Sequence, residues 1–169
     1  LVRRRGFKKV LLRGDTDFTQ TKHLDRWDAR GDVEFIFGID AMRNLIDRAE
    51  SLPKTAWEPL IRQPKYEVRT QERQRPQNVK ERIVREREFE NIRLVSEQVA
   101  QFEYRPTLCR KPYRVVALRK NLSVEKGEAV LFDDLKYFFY ITNDRRTPRD
   151  QIVASANDRC RQENLIEQL

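Results

Sequence analysis

Two acidic residues, Asp15 and Glu163, occupy positions that need an explanation, and at Glu163 the surrounding pattern favours an apolar side chain. Asp15 ends a segment whose short apolar run, residues 10–12, is typical of a buried strand. At about 100° per residue, Glu163 shares one helical face with Ile152, Ala156, Cys160 and Ile166. A buried, ionised carboxylate without a partner costs several kcal/mol or has a raised pKa. These two acids therefore need either a cationic partner or a chemical role.

Carboxylate oxygens are the ligands that hard divalent cations such as Mg²⁺ take. A pair of such ions about 3.5–4 Å apart activates water or a 3′-hydroxyl and stabilises the leaving oxygen of a phosphodiester. Asp15 and Glu163 lie near opposite ends of the chain, so only tertiary folding can bring them together. An ion pair with Arg159, one helical turn earlier, explains Glu163 equally well, and both interpretations stay open at this point.

Other acids in the chain have simpler explanations. Asp17 is expected to point away from Asp15 if the strand continues. Asp133, Asp134 and Asp144 occur between predicted strands or after one, where turns commonly use aspartate. We therefore interpret these three as turn residues.

The composition favours a polyanionic partner. The chain has 169 residues, 38% of them hydrophobic, which is enough for one domain with a core and a smaller inserted lobe. Its net charge is +8 and its pI about 9.7, so nucleic acid is the expected partner class, although a plain basic surface has about even odds. With two cysteines, one histidine and no Cys-x-x-Cys spacing, a zinc site is nearly excluded. The absence of a signal peptide or long apolar span predicts a reduced, cytoplasmic protein without membrane contact.

The first third of the chain reads as strand, helix, strand, helix. The strand that delivers Asp15 is followed by a helix that ends at Gly31, a second strand over residues 33–38 and a second helix over residues 41–49. This order predicts a parallel strand pair with a right-handed crossover and hence an α/β fold.

From Pro53 to about Glu90 the chain is rich in proline and in both charge signs, and we predict that it lies outside the core. Five basic residues of this segment are candidates for nucleic-acid contact, with a solvated face as the alternative: Arg62, Lys65, Arg69, Arg73 and Arg75. Strands are predicted from Val95 onward, over residues 113–120, 129–132 and 136–143, with Gly127 in a turn. Pro148 marks the start of the terminal helix.

Three segments together resemble a known family. They are Leu12-Arg13-Gly14-Asp15-Thr16-Asp17-Phe18, Phe35-Ile36-Phe37-Gly38-Ile39-Asp40, and Arg159-x-x-x-Glu163-Asn164 before a Leu-Ile-Glu-Gln-Leu ending. In this order the chain resembles the DDE transposases of bacterial insertion sequences, in particular the group whose ribonuclease H-like catalytic domain carries a strand-rich insertion. The resemblance implies that Asp15 is the second catalytic aspartate and Glu163 the catalytic glutamate, both metal ligands, and that Arg159 orients Glu163 or contacts phosphate.

The resemblance also implies an organisation and an activity. The expected fold is a partial ribonuclease H-like α/β fold with a β-rich insertion between the second and third catalytic acids. Residues 1–52 would form the first part of the core, 53–135 a charged linker and the insertion, and 136–169 the return strand and catalytic helix. We expect a C-terminal fragment that lacks the first catalytic aspartate and is inactive alone.

The implied reaction is Mg²⁺- or Mn²⁺-dependent strand cleavage at insertion-sequence ends, followed by strand transfer into target DNA. The partners would be transposon-end and target DNA, and a second copy of the full-length protein, in the bacterial cytoplasm at the nucleoid. Two alternatives remain at this stage: a non-catalytic nucleic-acid-binding remnant, and a hydrolytic nuclease on the same fold.

Overall fold

A computed structural model describes residues 6, 8–62, 82–83, 87, 90–126 and 129–158. The helices and strands found there, numbered in chain order, are β1 Val10–Gly14, α1 Leu24–Asp28, β2 Val33–Ile39, α2 Arg43–Glu50, β3 Glu58–Pro59, β4 Glu90–Tyr104, β5 Tyr113–Lys126, β6 Ala129–Thr142 and α3 Arg149–Asn157. Short 3-10 helices cover Thr16–Phe18, Thr21–His23 and Lys54–Ala56.

The strands form one mixed sheet in the order β1-β2-β6-β5-β4-β3. β1 and β2 are parallel, and the other neighbouring strands are antiparallel. The predicted α/β class and the predicted parallel pair are therefore confirmed. Helix α1 ends at Asp28, three residues before the predicted Gly31, and Gly31 has φ +67°, the left-handed conformation for which glycine was expected.

Helices cover both faces of the sheet because the strands alternate apolar side chains between the two sides. Alternate residues of β2, Phe35, Phe37 and Ile39, pack with Leu24 of α1 and Leu45 of α2 in the larger core. On the opposite face, a smaller cluster joins Ile36 of β2 and two residues of β5 to the buried side of α3: Val116, Leu118, Ile152 and Val153. The buried stripe predicted for the terminal helix is thus observed at Ile152.

The junction between β2 and β6 connects the parallel pair to the antiparallel strands. It consists of only four residue pairs, from Ile36 opposite Thr142 to Ile39 opposite Phe139. β6 then extends beyond the end of β2, where it pairs with β5 alone. The sheet therefore has a step at this point, with β6 exposed beyond the carboxyl end of β2.

Two predictions for the strand-rich region are wrong. Asp133 and Asp134 do not form a turn between two strands: they lie within β6, opposite Ser123 and Leu122 of β5. Beyond the end of β2 the strand pair is partly solvated, Leu135 being 49% exposed, so carboxylates are tolerated in a strand there. Two predicted strands are consequently one.

The segment after Pro53 contributes to the core, contrary to the prediction. Trp57 is only 7% exposed and belongs to the larger core. Its ring lies 6.3 Å from that of Tyr137, and the Arg119 guanidinium stacks over it at 4.2 Å. β3 follows at once and pairs with β4 at the sheet edge, a position in which Pro59 is acceptable. The sequence pattern did not indicate this aromatic anchor, because the segment that contains it is rich in charged residues.

A buried tyrosine fastens α1 to β5. The Tyr113 hydroxyl donates a 2.6 Å hydrogen bond to Asp25 Oδ1, and the backbone N–H of Arg110 donates one of 2.7 Å to Asp25 Oδ2. The bond from Tyr113, followed by that from Arg110, holds the pKa of Asp25 below its usual value of 3.8. Because the pKa of Asp25 is lower in the folded protein, the ionised carboxylate stabilises the fold above pH 3.8. This contribution is lost as the pH falls through the pKa of the folded protein.

We expect Tyr113→Phe to lower the free energy of unfolding at neutral pH by about 1.5–3 kcal/mol, the range for a hydrogen bond to a charged group. The difference from wild type should shrink below pH 3.8, where Asp25 becomes protonated. Urea unfolding at pH 7 and at the lowest pH at which the protein is folded measures both values. Tyr104→Phe is the matched control, because its hydroxyl meets only the neutral Asn44 amide at 3.2 Å. A loss for Tyr113→Phe that does not change with pH would contradict the assignment.

Candidate active site

A cavity of about 420 Å³ opens at the carboxyl ends of β1 and β2. Asp15 and Thr16 follow β1, Asp40 follows β2, and all three line this cavity. The rest of the wall is formed by residues 137–140 of β6, around the point where β2 ends, and by the end of α3, Ala156 and Asn157. Ligands of open α/β sheets bind outside the carboxyl ends of parallel strands, and the cavity has this location.

The backbone of Asp15 lies close against β2, and this approach is possible because Gly38 has no side chain. A Cβ atom at Gly38 would lie 3.2 Å from Thr16 N and 3.4 Å from the carbonyl carbon of Asp15. Both are backbone atoms, so neither can rotate away. Gly38 therefore sets how closely the turn that carries Asp15 can approach the end of β2.

A threonine hydroxyl spans the same contact. Thr19 Oγ1 lies 3.0 Å from Asp15 O and within hydrogen-bonding distance of Gly38 O. A hydroxyl has one proton and donates to one carbonyl at a time, and both the Asp15 and the Gly38 carbonyl lie within its reach. The position of Asp15 thus depends on a close backbone contact and on one bridging side chain.

The carboxyl end of α3 is fastened to the same edge of the sheet. The Arg13 guanidinium donates a 2.9 Å hydrogen bond to the carbonyl of Ser155, and the Tyr140 hydroxyl lies 3.5 Å from Asn157 Oδ1. Burial raises the pKa of Tyr140, so its phenol stays neutral at physiological pH. Because Arg13 belongs to β1, the strand that leads to Asp15 also fixes the end of the helix beside it.

Asp40 is a further acid on this cavity that the sequence analysis left without a role. It follows β2 as Asp15 follows β1, and its side chain is exposed, whereas Asp15 is partly buried. The signal was present in the sequence, because the carboxyl ends of two parallel strands meet at one edge of a sheet. Asp40 was part of the second motif of the resemblance, but only the strand order gives it a place beside Asp15.

Several predicted site residues lie outside the described part of the chain: Arg159, Glu163, Lys65, Arg69, Arg73 and Arg75. Their roles stay predictions. The structure brings Asp15 to the cavity, and the last residues of α3 that it describes line the same cavity.

Arg62, the remaining predicted nucleic-acid contact, is held by a carboxylate. Its Nε and Nη2 donate hydrogen bonds of 2.6 and 2.7 Å to the two carboxylate oxygens of Glu97. The bond from Arg62 is the main cause that lowers the pKa of Glu97, and Lys120 adds to the effect at 3.3 Å. The charge that Arg62 could offer a phosphate is therefore largely compensated by Glu97.

Asp144 is in a turn, as predicted. Its Oδ1 accepts hydrogen bonds from the backbone N–H groups of Arg146 and Thr147 at 2.8 and 3.0 Å.

The donors around the cavity suit a hard cation. Asp15, Asp40, the Thr16 hydroxyl and the Asn157 amide oxygen are all oxygen donors. Mg²⁺ is commonly held by one or two carboxylates together with water and a substrate phosphate. Among the residues that the structure describes, no group of three or more His, Cys, Asp or Glu side chains could hold a metal ion. The two carboxylates on this cavity match the number and the ligand type with which proteins commonly hold Mg²⁺.

No protein-family model, curated protein or solved structure matches this chain. In the described ranges, no helix has the length and apolarity needed to cross a membrane.

We expect Gly38→Ala to lower the free energy of unfolding by about 1–3 kcal/mol, because the added methyl group overpacks a contact between backbone atoms. The strain should displace residues 15 and 16, since these carry the atoms that the methyl group meets. Urea unfolding measures the stability, and backbone amide chemical shifts report the displacement. Shift changes that leave Asp15 and Thr16 unaltered would contradict this role for Gly38.

Thr19→Val should lower the free energy of unfolding by about 0.5–1.5 kcal/mol, since the hydrogen bond across the strand ends is lost while the shape of the side chain is kept. Thr19→Ser is the matched control, because it keeps the hydroxyl and should restore the shifts of Asp15. Wild-type amide shifts around residues 15 and 38 in Thr19→Val, together with altered shifts in Thr19→Ser, would show that the methyl group, and not the hydroxyl, matters.

Proposed function

We propose that this chain is part of the catalytic domain of a DDE-type DNA transposase, which cleaves and joins DNA strands at insertion-sequence ends. The observation that carries the proposal is Asp15. The motif assigned it a catalytic position, and it lies at the end of a parallel strand on a cavity that α3 also reaches. The ribonuclease H-like fold is part of the same proposal, supported by the α/β sheet and its parallel pair.

Phosphoryl transfer depends on in-line positioning and on neutralisation of charge. In the proposed reaction the Asp15 carboxylate lies at a fixed distance from β2, because Gly38 and Thr19 determine the position of the Asp15 backbone. Asp40 provides a second carboxylate on the more open side of the cavity. When bound, Mg²⁺ or Mn²⁺ would activate the attacking water or 3′-hydroxyl and stabilise the leaving oxygen. Glu163 is proposed as a further ligand, on the chain that continues from α3.

The apolar part of the cavity suits a nucleic-acid end. Phe138 is 42% exposed and lines the cavity with Tyr137 and Tyr140. Aromatic side chains stack on unpaired bases with about 1–3 kcal/mol per base. A terminal base beside the scissile phosphate could therefore rest on β6, while the acids approach the phosphate from the ends of β1 and β2.

In the natural full-length protein, we expect Asp15→Asn to reduce metal-dependent cleavage of transposon-end DNA by at least about 100-fold, as for the loss of an essential charge-stabilising group. Glu163→Gln should act similarly. Asp17→Asn is the matched control: it removes the same charge from an exposed residue in the same turn that does not line the cavity, and should retain activity. Cleavage is assayed on gels with Mg²⁺ or Mn²⁺, and strand-transfer joints are scored separately.

The outcomes separate the candidate functions. Full activity of Asp15→Asn and Glu163→Gln would overturn the assignment, and cleavage without transfer joints would indicate a hydrolytic nuclease. Metal binding has its own readout in the present chain, because Mn²⁺ broadens NMR signals near its site. Broadening at residues 14–16 and 40 that disappears in Asp15→Asn supports the site. DNA binding with no metal dependence and no broadening would favour a non-catalytic remnant.

A further inference from the structure

A second cavity of about 420 Å³ lies at the opposite end of α3, and arginines dominate its wall. We call it the arginine pocket and define it by four guanidinium groups: Arg114, Arg145, Arg146 and Arg149. The two carboxylates in its lining are Glu58 and Asp150. The cationic groups thus outnumber the anionic ones two to one, which is the pattern of a site for an oxyanion.

Arg114 is the buried member of the arginine pocket. It is 8% exposed, and its hydrogen bonds go to neutral acceptors: Nε to the Gln101 side chain at 2.9 Å, and Nη1 to the carbonyls of Asp144 and Thr147 at 3.0 and 2.7 Å. Burial is the main cause that lowers the pKa of Arg114, against the attraction of the Asp144 carboxylate. The Asp144 and Glu103 carboxylates compensate the buried charge only in part, and a bound anion would offset the remaining cost of burying the cation.

The other three arginines differ in how far their charge is compensated. Arg145 forms an ion pair with Glu103 at 2.8 Å, and Arg149 pairs with Glu58 and donates to the carbonyl of Ala56. Within the described residues, Arg146 has no carboxylate partner for its guanidinium, which is exposed at the mouth of the pocket. Its backbone is fixed by the turn of Asp144, whose carboxylate accepts the Arg146 N–H at 2.8 Å. Arg146 is therefore the charge most available to a ligand.

The two cavities stand at a defined spacing. Pro148, Arg149 and Asp150 at the beginning of α3 line the arginine pocket, and Ala156 and Asn157 at its end line the cavity of Asp15. The nine residues of α3 span about 13 Å at 1.5 Å per residue. Phosphates along one strand of B-DNA advance about 3.4 Å each along the axis. The distance corresponds to about four nucleotides.

We infer that the arginine pocket binds a backbone phosphate of the DNA substrate, about four nucleotides from the phosphate that reaches Asp15. The inference rests on the proposed function for the choice of DNA as the source of the phosphate. Such a contact fixes the register of the strand along α3 without reading its sequence. Helix α3 would then separate the site of reaction from the phosphate that is bound in the arginine pocket.

The test measures DNA binding without catalysis. Fluorescence anisotropy of a labelled duplex, in EDTA and over a series of NaCl concentrations, gives the affinity and its salt dependence for the 169-residue chain. We expect Arg146→Ala to weaken binding by about 5- to 10-fold and to reduce the slope of log K against log salt by about one, the value for a single phosphate contact. Arg26→Ala is the matched control, because this exposed arginine lies on α1, on the opposite face of the sheet. It should change neither value.

The outcomes separate this inference from the proposed function. Asp15→Asn should bind DNA at least as well as wild type in EDTA, so an inactive transposase site leaves this assay unaffected. Equal losses for Arg146→Ala and Arg26→Ala, unchanged binding for Arg146→Ala, or no binding by wild type would each overturn the inference. Inorganic phosphate is the second probe. Thermal stabilisation by phosphate that Arg146→Ala abolishes, with DNA binding unchanged, would identify a free-anion site in place of a DNA contact.

Discussion

The short junction between β2 and β6 is the constraint on which the rest of the structure depends. Four residue pairs join the parallel pair β1–β2 to the long antiparallel strands. Because β2 stops at Ile39 while β6 continues beyond it, the sheet has a step at the carboxyl ends of the parallel strands. That step is the floor of the cavity that Asp15 and Asp40 border. A longer β2 would pair with the aromatic residues of β6 and fill the site.

The two hydrophobic cores position different helices relative to the sheet and the site. The larger core buries α1 and α2 against one face of the sheet, and the smaller one buries α3 against the other. Helix α3 is held at its end by Arg13 of β1 and at its beginning by the turn of Asp144. Both ends of α3 thus border cavities, one lined by acids and one by arginines, and the helix between them is about 13 Å long.

Local sequence signals predicted the structure correctly where a segment strongly prefers one backbone conformation. The apolar run before Asp15, the glycine at position 31 and Pro148 before α3 each predicted an element end that the structure contains. The local signals gave wrong predictions where tertiary packing determines the structure of a segment. Asp133 and Asp134 look like turn residues but lie within β6, in a segment where Leu135 is 49% exposed. Trp57 lies in a charged segment, yet its ring fills the core beside Tyr137.

The sequence by itself determined the α/β class, the parallel opening pair and the placement of Asp15 at a strand end, because strand periodicity, glycine conformation and charge are properties of the local chain. Only the tertiary structure decided that Asp40 shares a cavity with Asp15, that Glu97 compensates Arg62, and that Arg114 is buried among neutral acceptors. Each of these facts depends on strand order and register, which bring distant residues together. No local pattern encodes them, because the partners of Arg62 and Arg114 come from other strands and loops of the fold.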